Sequence, residues 1–223
     1  MPPRSEQPAD GRPALTPDGI VAAATELIER DGLDTFTMRA LGRELGVSAM
    51  AVYGYFSSRE ALLAEVLSRF MATMDTAPIP GERWDDTLRR TMHSIMAEEL
   101  AHPEIASISV SPEVGGGGLE SHTENIVNLH LSQGMSLEIL AKAWAMVDAY
   151  LTGFADNVIA LRAAGLDEST EEDGAAAEVP LWKRIVASAY SDEAFSEGVE
   201  IIISGIRALA APDPCDWRTP EEG

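Results

Sequence analysis

Residues 37–56 hold two short helical patterns separated by one turn, and this feature constrains the fold more than any other part of the sequence. Met38, Leu41 and Leu45 have the spacing of apolar residues on one face of a short helix. Gly46 follows directly, and glycine most readily takes the left-handed conformation in which many helices end. The pattern therefore predicts a short helix that stops at Gly46 and is followed by a sharp turn.

A second short helix is predicted to begin after Ser48, a typical N-cap residue, with Val52 on its buried side. A helix whose outward residues are small or can form hydrogen bonds is able to enter a DNA major groove about 12 Å wide. The residues predicted to face outward are Ala49, Met50, Tyr53 and, at the end of the helix, Tyr55. Together the two patterns are typical of a helix-turn-helix motif.

Helices are also predicted on both sides of this pair. Thr16 as N-cap and Pro17 at the first helical position predict a helix that ends at Gly32. Ser57 or Ser58 is predicted to cap a further helix, which carries apolar residues at helical spacing. These helices would complete a small DNA-binding domain.

The chain is predicted to contain two domains, a helix-turn-helix domain over residues 16–75 and a larger helical domain over residues 76–211. No segment alternates apolar and polar residues as a strand does, so the predicted fold class is all-α. In the larger domain, helices are predicted from Trp84 to Ala101, Leu119 to Leu131, Leu137 to Ala164, Leu181 to Tyr190 and Asp192 to Ala211.

Three segments lack an apolar period and are rich in charge, with proline in both terminal ones. Residues 1–15 and 212–223 are predicted to be disordered tails. Residues 167–178 are acidic and are predicted to form a loop or a disordered insert.

The formal net charge is -21. Taken alone, this charge argues against binding to nucleic acid, because proteins bind phosphates largely through cationic side chains. The distribution of charge changes this conclusion. Residues 1–75 carry 7 Arg and 11 Asp or Glu, whereas residues 76–223 carry 9 Lys or Arg and 26 Asp or Glu. Within the helix-turn-helix region, Arg39, Arg43 and Arg59 outnumber the single acidic residue Glu44. A small basic surface therefore remains where DNA would bind.

The sequence offers little support for a membrane, secreted or catalytic protein. It has no long apolar span and no signal-peptide pattern, and its one cysteine, Cys215, lies in the predicted tail, so we expect a cytoplasmic protein. The four histidines have no metal-binding spacing, and neither a metal site nor a cofactor is expected. The glycine run at 115–118 lacks the lysine of a phosphate loop, which leaves a helical enzyme as a weak alternative.

The segment from Thr16 to Leu67, and above all its stretch ALGRELGVSAMAVYGYFSSREALL, resembles the TetR family of transcriptional regulators. Resemblance to the tetracycline repressor subgroup continues through Trp84, the turn at Gly134 and Gly153. The resemblance implies a DNA-binding repressor that works as a homodimer on a palindromic operator and responds to a small molecule. The DNA-facing residues that it implies are Thr37, Arg39, Ser48, Ala49, Met50, Tyr53, Tyr55 and Arg59.

These implied contacts differ in kind. Arg39 and Arg59 are expected to contact phosphates, and Arg39 could also reach a guanine. Tyr53 is expected to donate to a phosphate, with a half-buried core tyrosine as the alternative. Ala49 and Met50 can contact thymine methyl groups but offer no hydrogen bond to a base.

The resemblance also implies a ligand pocket and a dimer interface in the second domain. The expected pocket residues are Met92, Ile95, Met96, Ile108, Ile126, Leu129, Met146 and Tyr150, and each could equally belong to a plain core. The expected interface residues, on the helices from 137 and from 192, are Leu151, Val158, Ile202 and Ile206.

The expected ligand is an uncharged, mostly apolar molecule. At the positions where the tetracycline repressor subgroup carries polar drug and metal ligands, this chain has Ile108 or Ser109, Ile126 and Asn157. The expected function is a repressor that such a molecule releases from DNA. An activator, a regulator that needs a co-repressor, and a protein-binding adaptor are the alternatives.

Overall fold

The computed structural model describes residues 15–111, 114, 118–166 and 180–221. Over these residues the chain is helical without strands, which confirms the predicted all-α fold class. The predicted tail at 1–15 (apart from Leu15), the acidic insert at 167–178 and most of the glycine run at 115–118 lie outside the described residues. The helices are α1 Pro17–Asp31, α2 Met38–Leu45, α3 Ala49–Tyr53, α4 Arg59–Met71, α5 Trp84–Ala101, α6 Pro103–Ala106, α7 Glu120–Ser132, α8 Leu137–Ala163, α9 Leu181–Ala189 and α10 Asp192–Ala210.

Side-chain caps fix the starts of the helices around the turn. The hydroxyl oxygens of Thr37, Ser48 and Ser58 accept hydrogen bonds from the third backbone N–H of α2, α3 and α4, at 3.1, 3.2 and 3.1 Å. Gly46 ends α2 in the left-handed conformation with φ 68°. A Cβ atom at Gly42 would lie 3.0 Å from the carbonyl oxygen of Val47, so α2 and the turn pack at a distance that glycine permits.

The first core lies between α1, α2, α3 and α4, and it also takes in residues from beyond the DNA-binding domain. Ile105 on α6 and Ile108 in the following 3-10 helix, Ser107–Val110, are almost fully buried against it. The carboxylate of Glu104 accepts a hydrogen bond from the backbone N–H of Leu33 at 3.1 Å. The two domains are therefore joined by packing as well as by the chain.

The second core forms where α5, α8 and α10 pack together. Trp84 is fully buried at the start of α5, and Phe154 and Phe195 meet edge to face with their ring centroids 5.1 Å apart. The four residues predicted for the dimer interface are all buried inside this core of the single chain: Leu151, Val158, Ile202 and Ile206. That prediction was wrong, because these residues point into their own subunit.

The predicted disorder of residues 212–223 was also wrong for the described part of that segment. Trp217 is buried, and its ring packs against Trp84 with a centroid separation of 5.6 Å. The indole N–H of Trp84 donates to the carbonyl oxygen of Cys215 at 2.9 Å. The backbone of Thr219 donates to Glu82 and accepts from Gly81, both at 2.9 Å. We call residues 213–219 the C-terminal strap, since they fasten the start of α5.

We expect Trp217→Ala to lower the free energy of unfolding by roughly 3 kcal/mol, because it removes a large buried ring and leaves a cavity beside Trp84. Asp216→Ala is the control, since the Asp216 side chain is largely exposed and forms only a 3.7 Å contact with Arg83. Its effect should stay within about 0.5 kcal/mol. Chemical denaturation followed by circular dichroism measures both, and equal effects would contradict the packing role of the strap.

Candidate DNA-binding surface and ligand cavity

The outer face of α3 is exposed as the sequence predicted. The side chain of Met50 is 75% exposed and that of Tyr53 is 42% exposed, while Ala49 is half-buried. Val52, on the opposite face, is fully buried in the first core. The helix therefore presents one apolar thioether and one phenol to any molecule that approaches it.

Thr37, Arg39 and Ser48 lie exposed around α3. The hydroxyl oxygens of Thr37 and Ser48 accept the capping hydrogen bonds from the backbone of α2 and α3. Each hydroxyl hydrogen can still be donated to a phosphate oxygen. Arg39 adds a positive charge on the first turn of α2, so these side chains together can contact a DNA backbone.

Arg59 has a different position from the one that the sequence suggested. Its guanidinium group donates to the backbone carbonyls of Phe36 and Leu33, at 3.2 and 3.3 Å, and lies over the Phe36 ring. These contacts hold the segment before α2 and turn the charge toward the protein. Arg59 is therefore a structural residue of the domain, and the expected phosphate contact is not supported by its geometry.

Tyr55 lies beyond the end of α3, which is two residues shorter than predicted. Its hydroxyl group donates to the carbonyl oxygen of Leu15 at 2.8 Å, while its ring is about half exposed. Tyr55 thus ties the residue before the N-cap of α1 to the helix-turn-helix motif.

A cavity of about 560 Å³ lies between α4, α5, α7, α8 and α10. This volume falls within the range of cavities that hold small organic ligands. Three of the predicted pocket residues, Met92, Ile95 and Ile126, line it. Its other apolar lining residues include Met71, Met74, Leu88, Leu119, Met135, Leu140, Trp144 and Val147.

The other five predicted pocket residues lie elsewhere. Met96 and Ile108 are buried in the second and the first core, and Leu129 lines a neighbouring cavity of about 680 Å³. Met146 is exposed on α8. The ring of Tyr150 stacks on Phe195, and its hydroxyl group donates to the backbone carbonyl of Phe195 at 3.1 Å.

Polar residues in the cavity wall were missed at the sequence level. They include Glu99, His122, His130 and Asp148. For Glu99 a signal was present, because it follows Met92 and Ile95 at helical spacing on the same face of α5. Burial in this wall, together with repulsion from Asp156 and Asp148, raises the pKa of Glu99 to about 7.

The helix α4 connects the two candidate sites. It begins at Arg59, close to α3, and ends at Met71 in the cavity wall, and Met74 follows in the same wall. A molecule in the cavity can therefore touch the end of the helix whose other end supports the helix-turn-helix motif.

Among the described residues, no group of three or more His, Cys, Asp and Glu side chains is placed to hold a metal ion. None of the helices described is long and apolar enough to span a membrane.

We expect the raised pKa of Glu99 to make stability fall as pH rises. The folded state retains this proton between about pH 4.5 and 7, where the unfolded chain has lost it, so each increase in pH across that range favours unfolding. The loss should amount to up to about 3 kcal/mol. Denaturation curves at pH 5 and pH 8 should show it in the wild type and not in Glu99→Gln.

Glu98→Gln serves as the matched control, because Glu98 accepts a hydrogen bond from Thr73 at 3.1 Å and is not part of the cavity wall. It should retain the pH dependence of the wild type. If Glu99→Gln also retains it, the protonated carboxyl group is not at this position.

Comparison with known proteins identifies the family of the chain. Residues 20–66 match the family described as bacterial regulatory proteins, tetR family, and residues 77–210 match the tetracyclin repressor-like C-terminal domain. The HTH-type transcriptional repressor DrrR1 of Streptomyces coeruleorubidus is 26% identical, over 90% of this chain and 80% of that protein. The class A tetracycline repressor of Escherichia coli is 25% identical, over 86% of this chain and 90% of that protein.

A solved structure agrees with these sequence matches. ActR, a TetR family protein of Streptomyces coelicolor in complex with actinorhodin, superposes with a TM-score of 0.63 and 25% identity, covering 89% of this chain and all of that one. Regulators of this kind are transcription factors and not enzymes, which removes the enzyme alternative. The two matched segments together span most of the sequence, and the chain belongs to the TetR family of ligand-responsive, DNA-binding transcriptional regulators.

Proposed function

We propose that the protein is a cytoplasmic repressor that binds a palindromic operator as a homodimer and leaves it when a small molecule enters the cavity. The observation that carries this proposal is the course of α4, from Arg59 beside the recognition helix to Met71 in the cavity wall. The names of the relatives support the two activities separately, since DrrR1 and the class A tetracycline repressor are repressors and ActR was solved with a small molecule.

On DNA, α3 would act as the recognition helix in the major groove. Met50 and Ala49 would contact thymine methyl groups, and the hydroxyl group of Tyr53 would donate to a phosphate. Arg39 would supply the principal charged contact, either to a phosphate or to a guanine. Because few of these residues form hydrogen bonds to bases, sequence-dependent DNA shape would contribute to specificity.

We expect Arg39→Ala to weaken operator affinity roughly tenfold and to reduce the salt dependence of binding by about one ion per subunit. Arg59→Ala is the matched comparison, because its guanidinium group bonds to the backbone of Leu33 and Phe36. It should lower thermal stability and leave the salt slope unchanged. Fluorescence anisotropy with DNA from upstream of the gene, at several salt concentrations, measures both. The reverse pattern would overturn the assignment of the DNA-facing charge.

The proposed dimer interface uses the exposed faces of α8 and α10, beside the residues that were first predicted. On α10, Ile201 is 71% exposed although Ile202, its neighbour, is buried. Met146 of α8 is exposed as well, and a Cβ atom at Gly205 of α10 would lie 3.9 Å from its Cε, so the two exposed faces adjoin. The small residues exposed along α8, which would permit close helix packing, include Ala141, Ala145, Ala149 and Ala160.

We expect Ile201→Asp to convert the dimer into monomers, since a carboxylate buried without a partner in an interface costs several kcal/mol. Ile79→Asp, an identical substitution at an exposed position between α4 and α5, should leave the dimer intact. Sedimentation velocity distinguishes these outcomes. Dimers of normal stability in Ile201→Asp would place the interface elsewhere.

Release by a ligand requires that the ligand prefers the conformation that does not bind DNA. In the proposed mechanism, the ligand contacts Met71 and Met74 and shifts the end of α4, which changes the separation of the two recognition helices. The change in operator affinity equals the ligand's preference between the two states, typically about 5- to 150-fold. A ligand that instead tightens operator binding would identify a co-repressor.

A further inference from the structure

A series of hydrogen bonds connects Thr87, Thr219 and Gln133 to His130 in the cavity wall. This residue lies near the end of α7, is 3% exposed and contributes to the wall of the 560 Å³ cavity. Its Nδ1 atom lies 3.1 Å from Oε1 of Gln133. The groups beyond Gln133 determine which nitrogen of the His130 ring carries its hydrogen.

The hydroxyl group of Thr87 fixes the orientation of the Gln133 amide. Thr87 has one hydroxyl hydrogen and two acceptors for it, the carboxylate of Glu82 at 2.7 Å and the backbone carbonyl oxygen of Arg83 at 3.1 Å. Arg90 keeps the pKa of Glu82 below its ordinary value, so this carboxylate is ionised and can only accept. Thr87 must therefore accept from its other neighbour, and the Gln133 atom 2.7 Å away is the amide nitrogen.

The strap supplies the second acceptor of this amide. The side-chain nitrogen of Gln133 donates to the hydroxyl oxygen of Thr219 at 3.0 Å, and the backbone N–H of Arg218 donates to the backbone carbonyl oxygen of Gln133 at 3.1 Å. With both amide hydrogens used in this way, the side-chain oxygen of Gln133 faces His130. Since an amide oxygen only accepts, Nδ1 of His130 must carry the hydrogen.

The protonation state of the ring follows from its burial. Removal from water lowers the pKa of His130, which keeps the ring neutral near pH 7. A neutral imidazole carries one hydrogen, and here it is on Nδ1, so Nε2 has a lone pair. In the described part of the chain this Nε2 has no hydrogen-bond partner, although the ring is part of the cavity wall.

We propose that Nε2 of His130 is a hydrogen-bond acceptor inside the cavity, and that the effector is an apolar molecule whose hydroxyl or N–H group donates to it. The inference rests on the proposal that this cavity holds the effector. It makes His130 a specificity-determining residue and Gln133, Thr87 and Thr219 the residues that position it. A ligand of the same shape without a donor group would leave this nitrogen without a hydrogen bond beside the bound ligand, and it would bind less tightly.

The first test is the tautomer of His130 in the wild-type protein. With 15N-labelled histidine at pH 7, long-range 1H–15N spectra should show the hydrogen on Nδ1, and His130→Asn identifies the signals. A hydrogen on Nε2, or a doubly protonated ring, would overturn the proposal. Thr219→Val, which removes one acceptor of the Gln133 amide, should give a mixture of tautomers.

The second test uses two probes that differ in one donor, 2-naphthol and 2-methoxynaphthalene, with binding followed by calorimetry. In each protein, the affinity for 2-naphthol is divided by the affinity for 2-methoxynaphthalene. This ratio should be about fivefold higher in the wild type than in His130→Asn. Asparagine places its amide near the position of Nδ1, so the variant retains a partner for Gln133 and loses only the second nitrogen. An equal preference in the two proteins, or no binding of either probe, would overturn the proposal.

These outcomes are separate from those that bear on the proposed function. Operator binding is measured on the same samples by anisotropy. If the wild type does not bind operator, the repressor proposal is wrong. The tautomer of His130 and the preference for 2-naphthol are measured independently and would not be affected by that result.

Discussion

The burial of Ile105 and Ile108 against the first core is the contact on which the two-domain arrangement depends. These residues follow α5, a helix of the second core, yet their side chains pack with those of α1 and α4. Other contacts also join the domains, among them the hydrogen bond from Leu33 to Glu104 and the end of α4 in the cavity wall. The burial of Ile105 and Ile108 adds a second connection, so both α4 and the α5–α6 junction link the second domain to the first core.

The two domains differ in how their positive charges are paired. In the second domain, Arg83, Arg89, Arg90 and Arg207 all form ion pairs with nearby carboxylates. The charges of these four arginines are therefore balanced by carboxylates of the same domain, whose acidic residues remain in excess. The helix-turn-helix motif thus presents its small positive region at one end of an acidic molecule, and like-charge repulsion from phosphates disfavours other orientations.

The sequence predicted what depends on local chemistry. The caps at Thr16 and Ser48, the glycine stop at Gly46 and the exposed face of α3 all follow from rules that operate within a few residues. Positions that depend on distant partners were predicted less well. Helical spacing places Ile202 on the same face of α10 as Ile206, but it does not show whether that face packs on α5 and α8 of the same chain or on a partner.

The order of the C-terminal strap was also not predicted, because it depends on partners that are distant in sequence. Composition suggested disorder for 212–223, because neither its prolines nor its charges indicate a partner. Its order comes from a single tryptophan and from backbone hydrogen bonds to Gly81 and Glu82, which lie far away in sequence. Likewise, His130 looked like one of four scattered histidines until Gln133 and Thr219 were placed beside it.

The contact between Trp84 and the strap has a consequence for synthesis. The indole N–H of Trp84 bonds to a residue 131 positions later, whereas the first core needs no residue beyond Leu119 among those described. Because domains fold as units in the order in which they leave the ribosome, the DNA-binding unit is complete while the sensing unit still awaits its last contact. In a newly made chain, the helix-turn-helix domain can therefore fold before the strap reaches Trp84 and completes the second core.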